Sequence, residues 1–188
     1  MNNVTTKSVT MISVSIDIPE PFAGELQRLR ASFGDPLAES IPSHVTLMSP
    51  AEVDGDLMPE IHAHLEHVAA LHRPFTMVLR STGTFRPVSP VVFVQVAGGI
   101  SECEQIERII RTGPLKRVPQ FYYHPHVTVA HHVDETQMDR AFDELASYEC
   151  SFQVQAFRLY EHGADLVSRP VRSFDFAGEA KFQPGRVP

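Results

Sequence analysis

Two short segments decide how this sequence folds: Pro42-Ser43-His44-Val45-Thr46-Leu47 and Pro125-His126-Val127-Thr128-Val129. Both contain the triplet His-Val-Thr, and the two histidines are 82 positions apart. In a β-strand, residues i and i+2 project from the same face. Each triplet therefore predicts a strand that presents an imidazole and a hydroxyl side by side and buries its valine on the opposite face.

The segments around the two triplets repeat one order of elements. Apolar residues alternate with polar ones before each triplet, as in a half-buried strand, and recur at helical spacing on both sides of it. The sequence therefore predicts β-α-β-α-β twice, as strands near 12–18, 44–47 and 75–79 with helices near 22–33 and 57–68, then strands near 92–96, 126–129 and 152–156 with helices near 103–110 and 138–145.

This duplication predicts an α+β fold of two pseudo-symmetric β-α-β-α-β lobes, whose antiparallel sheets surround a central cleft. We expect a single bilobal domain over residues 1–188, with lobe one at about 9–80 and lobe two at about 91–176. A last strand, 166–176, is expected to pair with 152–160 through a turn at His162-Gly163. The polar tail 177–188 is predicted to be flexible.

Composition narrows the class of protein. Hydrophobic residues make up 43% of the 188 residues, which is typical of a globular chain. No apolar run approaches the roughly 20 residues of a membrane span, and Met1–Lys7 lacks the apolar middle of a signal peptide, so we expect a cytoplasmic protein without a membrane partner. Nothing in the sequence implies more than a monomer. The formal charge of −7 disfavours tight binding of a long nucleic acid. A small nucleotide or one RNA end is the expected partner.

Two imidazoles and two hydroxyls suit the cleavage of a phosphodiester. The reaction needs a base for the incoming oxygen and an acid for the leaving oxygen, and histidine performs both tasks near neutral pH. Threonine hydroxyls can donate hydrogen bonds to the non-bridging oxygens, where negative charge is held. This scheme requires no metal and no cofactor.

The two motifs and the duplicated order resemble the 2H phosphoesterase superfamily, also called the 2′-5′ RNA ligase-like family, over about residues 9–176. The resemblance implies two lobes with both motifs lining the cleft, and hydrolysis of 2′,3′-cyclic phosphates or related cyclic nucleotide phosphodiesters without metal. It implies that His126 is the water-activating base and His44 the acid, with Thr46 and Thr128 as phosphate-binding hydroxyls.

Three further residues are candidate substrate contacts. Phe85, in the loop 81–90, and Tyr123, three residues before His126, offer aromatic surfaces on which a nucleobase can stack. Arg86, in the same loop as Phe85, offers a charge that neutralises a terminal phosphate. The predicted ligand is thus a small nucleotide, or an RNA 3′ end that carries a cyclic phosphate.

Other functions stay open at this stage. Some members of the resembled family join or open 2′-5′ RNA linkages, and a nucleotide-binding module without turnover would also use a phosphate site. The histidines at 124, 126, 131 and 132 invite a metal-site interpretation. No carboxylate completes a known ligand spacing there, and an acid–base mechanism needs His126 free, so no metal site is predicted.

Overall fold

The computed structural model describes residues 8–165 and 167–178, so residues 179–188 of the predicted tail and Leu166 of the last predicted strand lie outside it. The described part contains four α-helices and eight strands. Their order is β1 (Val9–Asp17), α1 (Phe22–Ser32), β2 (His44–Asp54), α2 (Met58–Ala70), β3 (Phe75–Thr84), β4 (Val91–Gly98), α3 (Ile100–Ile110), β5 (His126–His131), α4 (Glu135–Glu144), β6 (Glu149–Val154), β7 (Ala156–His162) and β8 (Ser168–Asp175).

The strands form two four-stranded sheets in which every pairing is antiparallel. The first sheet has the order β2-β1-β7-β8 and the second has the order β5-β4-β3-β6. These two sheets confirm the predicted α+β class with its pair of antiparallel sheets. The predicted pairing of the last strand with 152–160 is confirmed for residues 156–160, since β8 lies against β7. Residues 152–154 belong to β6, in the other sheet.

The sheets do not follow the predicted lobe boundaries, 9–80 and 91–176. β3 belongs to the second sheet, where it lies between β4 and β6, and β7 and β8 belong to the first sheet. The chain changes sheets at Gln155, the single residue between β6 and β7. Hydrophobic alternation predicts that a strand exists but not which strand it pairs with, which is why the boundaries were wrong.

Each motif strand occupies the edge of its sheet, next to the strand that precedes it in the chain. β2 lies beside β1 in the first sheet and β5 lies beside β4 in the second. The two edge strands, β2 and β5, also contact each other. The fold therefore brings the two His-Val-Thr motifs together from opposite sheets.

Burial along the motif strands follows the predicted alternation. Val45, Leu47, Val127 and Val129 are all at most 2% exposed and belong to the hydrophobic core. The histidines and threonines between them are half-buried.

In the described residues, no helix is long and apolar enough to cross a membrane. Both cysteines, Cys103 and Cys150, are buried and free, so no disulfide constrains the fold.

Candidate active site

The two motif histidines are held in the same way. Nδ1 of His44 lies 2.7 Å from the carbonyl oxygen of Pro42, and Nδ1 of His126 lies 2.7 Å from the carbonyl oxygen of His124. A carbonyl oxygen only accepts hydrogen bonds, so each Nδ1 carries the proton and donates it. In the neutral imidazole, Nε2 then keeps its lone pair. Both rings are thus prepared to take or give a proton through Nε2.

Burial lowers the pKa of both imidazoles from the ordinary value of 6.5. For His44, the charge of Arg30 acts in the same direction, whereas the Pro42 hydrogen bond and the charge of Asp17 oppose it. For His126, the hydrogen bond to the His124 carbonyl opposes burial, and the charges of His124 and His44 lower the pKa further. Among these causes the charge of His44 is the smallest for His126.

The threonine of each motif lies two residues beyond its histidine on the same face of the strand. Thr46 is opposite Ser15 of β1, and Thr128 is opposite Phe93 of β4. Both threonines are half-buried. Within residues 8–165 and 167–178, the structure places no hydrogen-bond partner on either threonine hydroxyl. These hydroxyls are available to a bound anion.

Aromatic rings surround His126. The centroid of the Phe85 ring lies 5.0 Å from that of the imidazole, edge-on at 89°, and the Phe93 ring lies 5.1 Å from it. The two phenylalanine rings are 4.4 Å apart and also contact His124. This cluster buries His126, and burial is the main cause that lowers the pKa of its imidazole. Phe85 therefore lies beside His126, and its contact with substrate stays a prediction.

Phe93 was not among the predicted site residues, although the sequence contains a signal for it. It alternates with Val92 and Val94, which are in the core, so it must project from the opposite face. Phe93 is nevertheless only 3% exposed, because it packs against the rings around His126. The ring lies over Gly83, where a Cβ atom would be 2.6 Å from it.

A polar network lies beside His44 instead of aromatic rings. Asp17 is directly opposite His44 in the pairing of β1 with β2. Its carboxylate accepts a hydrogen bond of 2.6 Å from the Tyr160 hydroxyl and forms an ion pair of 2.7 Å with Nη1 of Arg158. Arg158 is in turn opposite Ser15, in the same row as Thr46. The first sheet therefore offers charged and hydroxyl groups where the second offers rings.

A third histidine belongs to the same face of the first sheet. Nε2 of His162 lies 2.7 Å from the Ser13 hydroxyl, and its Nδ1 lies 3.1 Å from the Ser168 hydroxyl. Its charge is among those that lower the pKa of His44. Sequence reasoning missed His162 and Tyr160 because it did not predict that β7 joins β1. It missed Asp17 because it did not predict the register of β1 with β2.

Arg86 does not serve the predicted role. Its Nη1 donates hydrogen bonds of 2.6 Å to Glu135 and 2.8 Å to Asp139, both on α4. Its Nε donates to the Thr84 hydroxyl. Two carboxylates already compensate the guanidinium, which corrects the expectation that it neutralises a substrate phosphate.

Tyr123 has a different role from the one predicted. Its hydroxyl donates a hydrogen bond of 3.0 Å to the backbone carbonyl oxygen of Thr46. The side chain packs against the hydrophobic core rather than standing free for a base to stack on. Tyr123 thus joins the segment before the second motif to the strand of the first motif.

The histidines near the second motif form no ligand cage. The rings of His131 and His132 stack with centroids 3.6 Å apart. Among the described residues, no group of three or more His, Cys, Asp or Glu side chains is placed to hold a metal ion. The arrangement is suited to proton transfer and anion binding by side chains.

Comparison with known proteins identifies relatives of this sequence. A sequence model described as the 2′-5′ RNA ligase superfamily matches residues 18–166. A Bacillus licheniformis protein described as a putative phosphoesterase is 28% identical over 119 residues, which are 63% of this chain and 70% of that protein. A relative of the same description from Halalkalibacterium halodurans is 29% identical over 112 residues, 60% of this chain and 61% of its own length.

Solved structures share the fold over most of the chain. The crystal structure of E. coli LigT complexed with 3′-AMP has a TM-score of 0.62 at 19% identity, covering 91% of this chain and 100% of that one. A crystal structure described as a phosphoesterase has a TM-score of 0.65 at 17% identity, with the same coverage. LigT has also been solved with ATP, at a TM-score of 0.58, 20% identity and the same coverage.

Proposed function

Because the chain belongs to the 2′-5′ RNA ligase superfamily, we propose that it hydrolyses a 2′,3′-cyclic or related cyclic nucleotide phosphodiester by metal-independent acid–base catalysis. One observation carries the proposal. His44 and His126 lie on contacting edge strands, and each directs Nδ1 to the carbonyl oxygen two residues before it. The two Nε2 atoms are equivalent and have no hydrogen-bond partner in the part of the chain that the structure describes, which suits a reaction that removes one proton and supplies another.

In the proposed reaction, Nε2 of His126 takes a proton from water while the water oxygen bonds to phosphorus. The bond from phosphorus to one ribose oxygen breaks, and protonated Nε2 of His44 gives its proton to that oxygen. The product is a phosphate monoester, and one water molecule is consumed. His126 then loses its proton to solvent and His44 gains one, which restores the starting state.

The threonines act on the charge that develops at phosphorus. In this proposal the hydroxyls of Thr46 and Thr128 donate hydrogen bonds to the two non-bridging oxygens. Such donors stabilise a transition state when they are positioned before the reaction begins. The strands hold both threonines in position before substrate binds, because the neighbouring valines, Val45 and Val127, are fully buried.

The role of each histidine follows the family resemblance, with His126 as base and His44 as acid. The rings of Phe85 and Phe93 around His126 favour its neutral form, since burial penalises a charge. A neutral imidazole is the form that can accept a proton. The Phe85 ring, which is half-buried, is also the proposed surface on which the nucleobase of the substrate stacks.

A nucleotide is the proposed ligand because E. coli LigT, which has the same fold, was solved with 3′-AMP and with ATP. An RNA 3′ end with a cyclic phosphate presents the same chemical group. The family description also names RNA ligation, so joining of RNA ends through a 2′-5′ linkage is a second candidate. The net charge of −7 disfavours long RNA and ranks it second.

The test is turnover of a panel of 2′,3′-cyclic nucleotides in EDTA by the wild type, His44→Ala and His126→Ala. His67→Ala is the matched control, because His67 is an exposed histidine of α2. We expect a loss of about 10²–10⁴ in rate for each motif variant and no loss for the control.

Other outcomes separate the alternatives. Binding without turnover would indicate a nucleotide-binding module. Joining of RNA ends in place of hydrolysis would indicate a ligase. Loss of wild-type activity in EDTA would contradict the metal-independent mechanism. If His44→Ala and His126→Ala were as active as the wild type and the His67→Ala control, the two motif histidines would be excluded as catalysts.

A further inference from the structure

The two motifs are nearly equivalent, but the residues opposite their histidines differ. On β1, Asp17 is directly opposite His44, and on β4, Gln95 is directly opposite His126. Directly opposed residues of antiparallel strands project from the same face, with Cα atoms about 4.5–5.5 Å apart. The residue opposite the motif histidine is thus an anion in the first sheet, where it is Asp17, and neutral in the second sheet, where it is Gln95.

Asp17 is held in place from β7. The Tyr160 hydroxyl donates to Oδ1 at 2.6 Å, and Nη1 of Arg158 lies 2.7 Å from Oδ2. The Asp17 side chain is 35% exposed and the Arg158 side chain 40%, so solvent screens their pairing. Gln95 is held differently, since its amide donates to the carbonyl oxygen of Thr82 at 2.8 Å.

The other charged groups around the two imidazoles are cationic when ionised. Arg30 of α1 and His162 of β7 act on His44, and both lower its pKa. His124 and His44 act on His126, with the same direction. Among the described residues whose charge acts on either ring, Asp17 is the one anion.

We infer that Asp17 is the positioning residue that gives His44 the acid role, because it places an anion beside one of two imidazoles whose Nδ1 atoms are held in the same way. The anion favours the imidazolium of His44, while Gln95 gives His126 no such bias. The acid role itself rests on the proposed function. Asp17 does not contact the reacting atoms and acts through His44, and Arg158 and Tyr160 fix the position of its carboxylate.

The first test measures the pKa of both imidazoles by NMR titration, without any substrate. In Asp17→Asn, which keeps the side-chain shape, we expect the pKa of His44 to fall by about one unit and that of His126 to change less. In Gln95→Glu, which adds the missing anion, we expect the pKa of His126 to rise by a similar amount. Asp143→Asn removes the same charge from an exposed position of α4 and should move neither pKa.

The second test is the pH profile of turnover. The high-pH limb of the profile reports the pKa of the acid, and Asp17→Asn should move this limb about one pH unit lower. At pH 7.5, kcat should then fall about 10-fold while KM is unchanged. Asp17→Glu keeps the anion and should restore the limb. A purely structural role for Asp17 would lower turnover at every pH and leave the limb in place.

The two tests fail separately. An unchanged pKa of His44 in Asp17→Asn, or equal shifts at both histidines, would overturn the inference even if the wild type turns over its substrate. A wild type that turns over no cyclic nucleotide, with the pKa of His44 lowered in Asp17→Asn, would overturn the proposed function and leave the electrostatic difference between the two histidines established.

Discussion

The hydroxyl of Tyr123 donates a hydrogen bond of 3.0 Å to the backbone carbonyl oxygen of Thr46. Tyr123 precedes the second motif and Thr46 belongs to the first, so this bond joins the two halves of the site. β2 is an edge strand, and backbone groups on the outer side of an edge have no neighbouring strand to bond. Burial raises the pKa of Tyr123, which keeps its hydroxyl protonated as a donor.

Replacing this donor should weaken the fold. We expect Tyr123→Phe to lower the free energy of unfolding by about 1 kcal/mol, because one hydrogen bond is lost and the ring is kept. Urea unfolding measures the change. Tyr122→Phe is the control, since the Tyr122 side chain is fully exposed and its hydroxyl contacts no described residue. Equal effects of the two substitutions would contradict a specific role for the Tyr123 bond.

A buried ion pair makes a second connection between the halves. Nε of Arg30, on α1, lies 2.8 Å from Oδ2 of Asp35, and both side chains are at most 5% exposed. The same carboxylate oxygen accepts a hydrogen bond of 3.1 Å from the backbone N–H of His131, at the end of β5. Asp35 thus links α1 to the second motif strand.

We expect Asp35→Asn to lower the free energy of unfolding by about 3 kcal/mol, because it leaves the Arg30 charge buried without a counter-ion. Thermal and urea unfolding both measure this loss. Glu149→Gln removes one partner of the Arg80 ion pair, in which both side chains are more than half exposed, and should change stability little. A small effect at Asp35 would mean that water reaches Arg30.

The sequence predicts the parts of this protein that depend on local periodicity. It predicts the order of the strands and helices, and it predicts that the histidine and threonine of each motif share one face while the valine is buried. The order is confirmed except at 152–160, which was predicted as one strand and forms β6 and β7 in different sheets. The shared face and the buried valine are confirmed, because side-chain direction along a strand depends only on neighbouring residues.

The parts that depend on strand pairing were not predictable in the same way. Asp17 reaches His44 through the register of β1 with β2, and Tyr160 reaches Asp17 only because β7 lies on the other side of β1. Arg86 was misassigned for a related reason, since its partners on α4 are about 50 residues away in sequence. Contacts between residues so far apart in sequence cannot be inferred from the hydrophobic periodicity of a single sequence.

Gly83 should be sensitive to a single added methyl group. A Cβ atom there would lie 2.6 Å from the Phe93 ring, which packs against His126. We therefore expect Gly83→Ala to displace the ring, to destabilise the fold by about 1–3 kcal/mol, and to raise the pKa of His126 as its surroundings open. Urea unfolding and NMR titration measure the two effects.

Gly24→Ala is the matched control for that substitution. Gly24 lies in α1, where alanine is favoured over glycine by up to about 1 kcal/mol. The nearest atom to an added Cβ is the flexible end of the Glu20 side chain at 3.0 Å. This variant should be as stable as the wild type or more so. Equal destabilisation of both variants would show that the Phe93 packing is not the cause.

The motif threonines should matter for turnover and not for folding. Thr46→Val and Thr128→Val remove only the hydroxyl and keep the branched shape that suits a strand. If each hydroxyl donates to a non-bridging oxygen, we expect kcat/KM to fall about 10²–10³-fold in each variant with little change in unfolding. Thr10→Val, at the far end of β1, should leave kcat/KM unchanged. Full activity of either motif variant would remove that threonine from the mechanism.

The lowered pKa values of His44 and His126 also predict how stability depends on pH. Burial holds both folded-state values below 6.5, the ordinary value that applies in the unfolded chain. Between the folded values and 6.5 the unfolded chain binds more protons, so the free energy of unfolding should fall as the pH is lowered from about 7 to 5. His72, His131 and His162 share this direction and add to the fall. Urea unfolding at a series of pH values should show a smaller fall in His44→Gln and in His126→Gln than in the wild type. His67→Gln, at an exposed position, should keep the wild-type slope, and a wild-type free energy that rises on acidification would contradict the prediction.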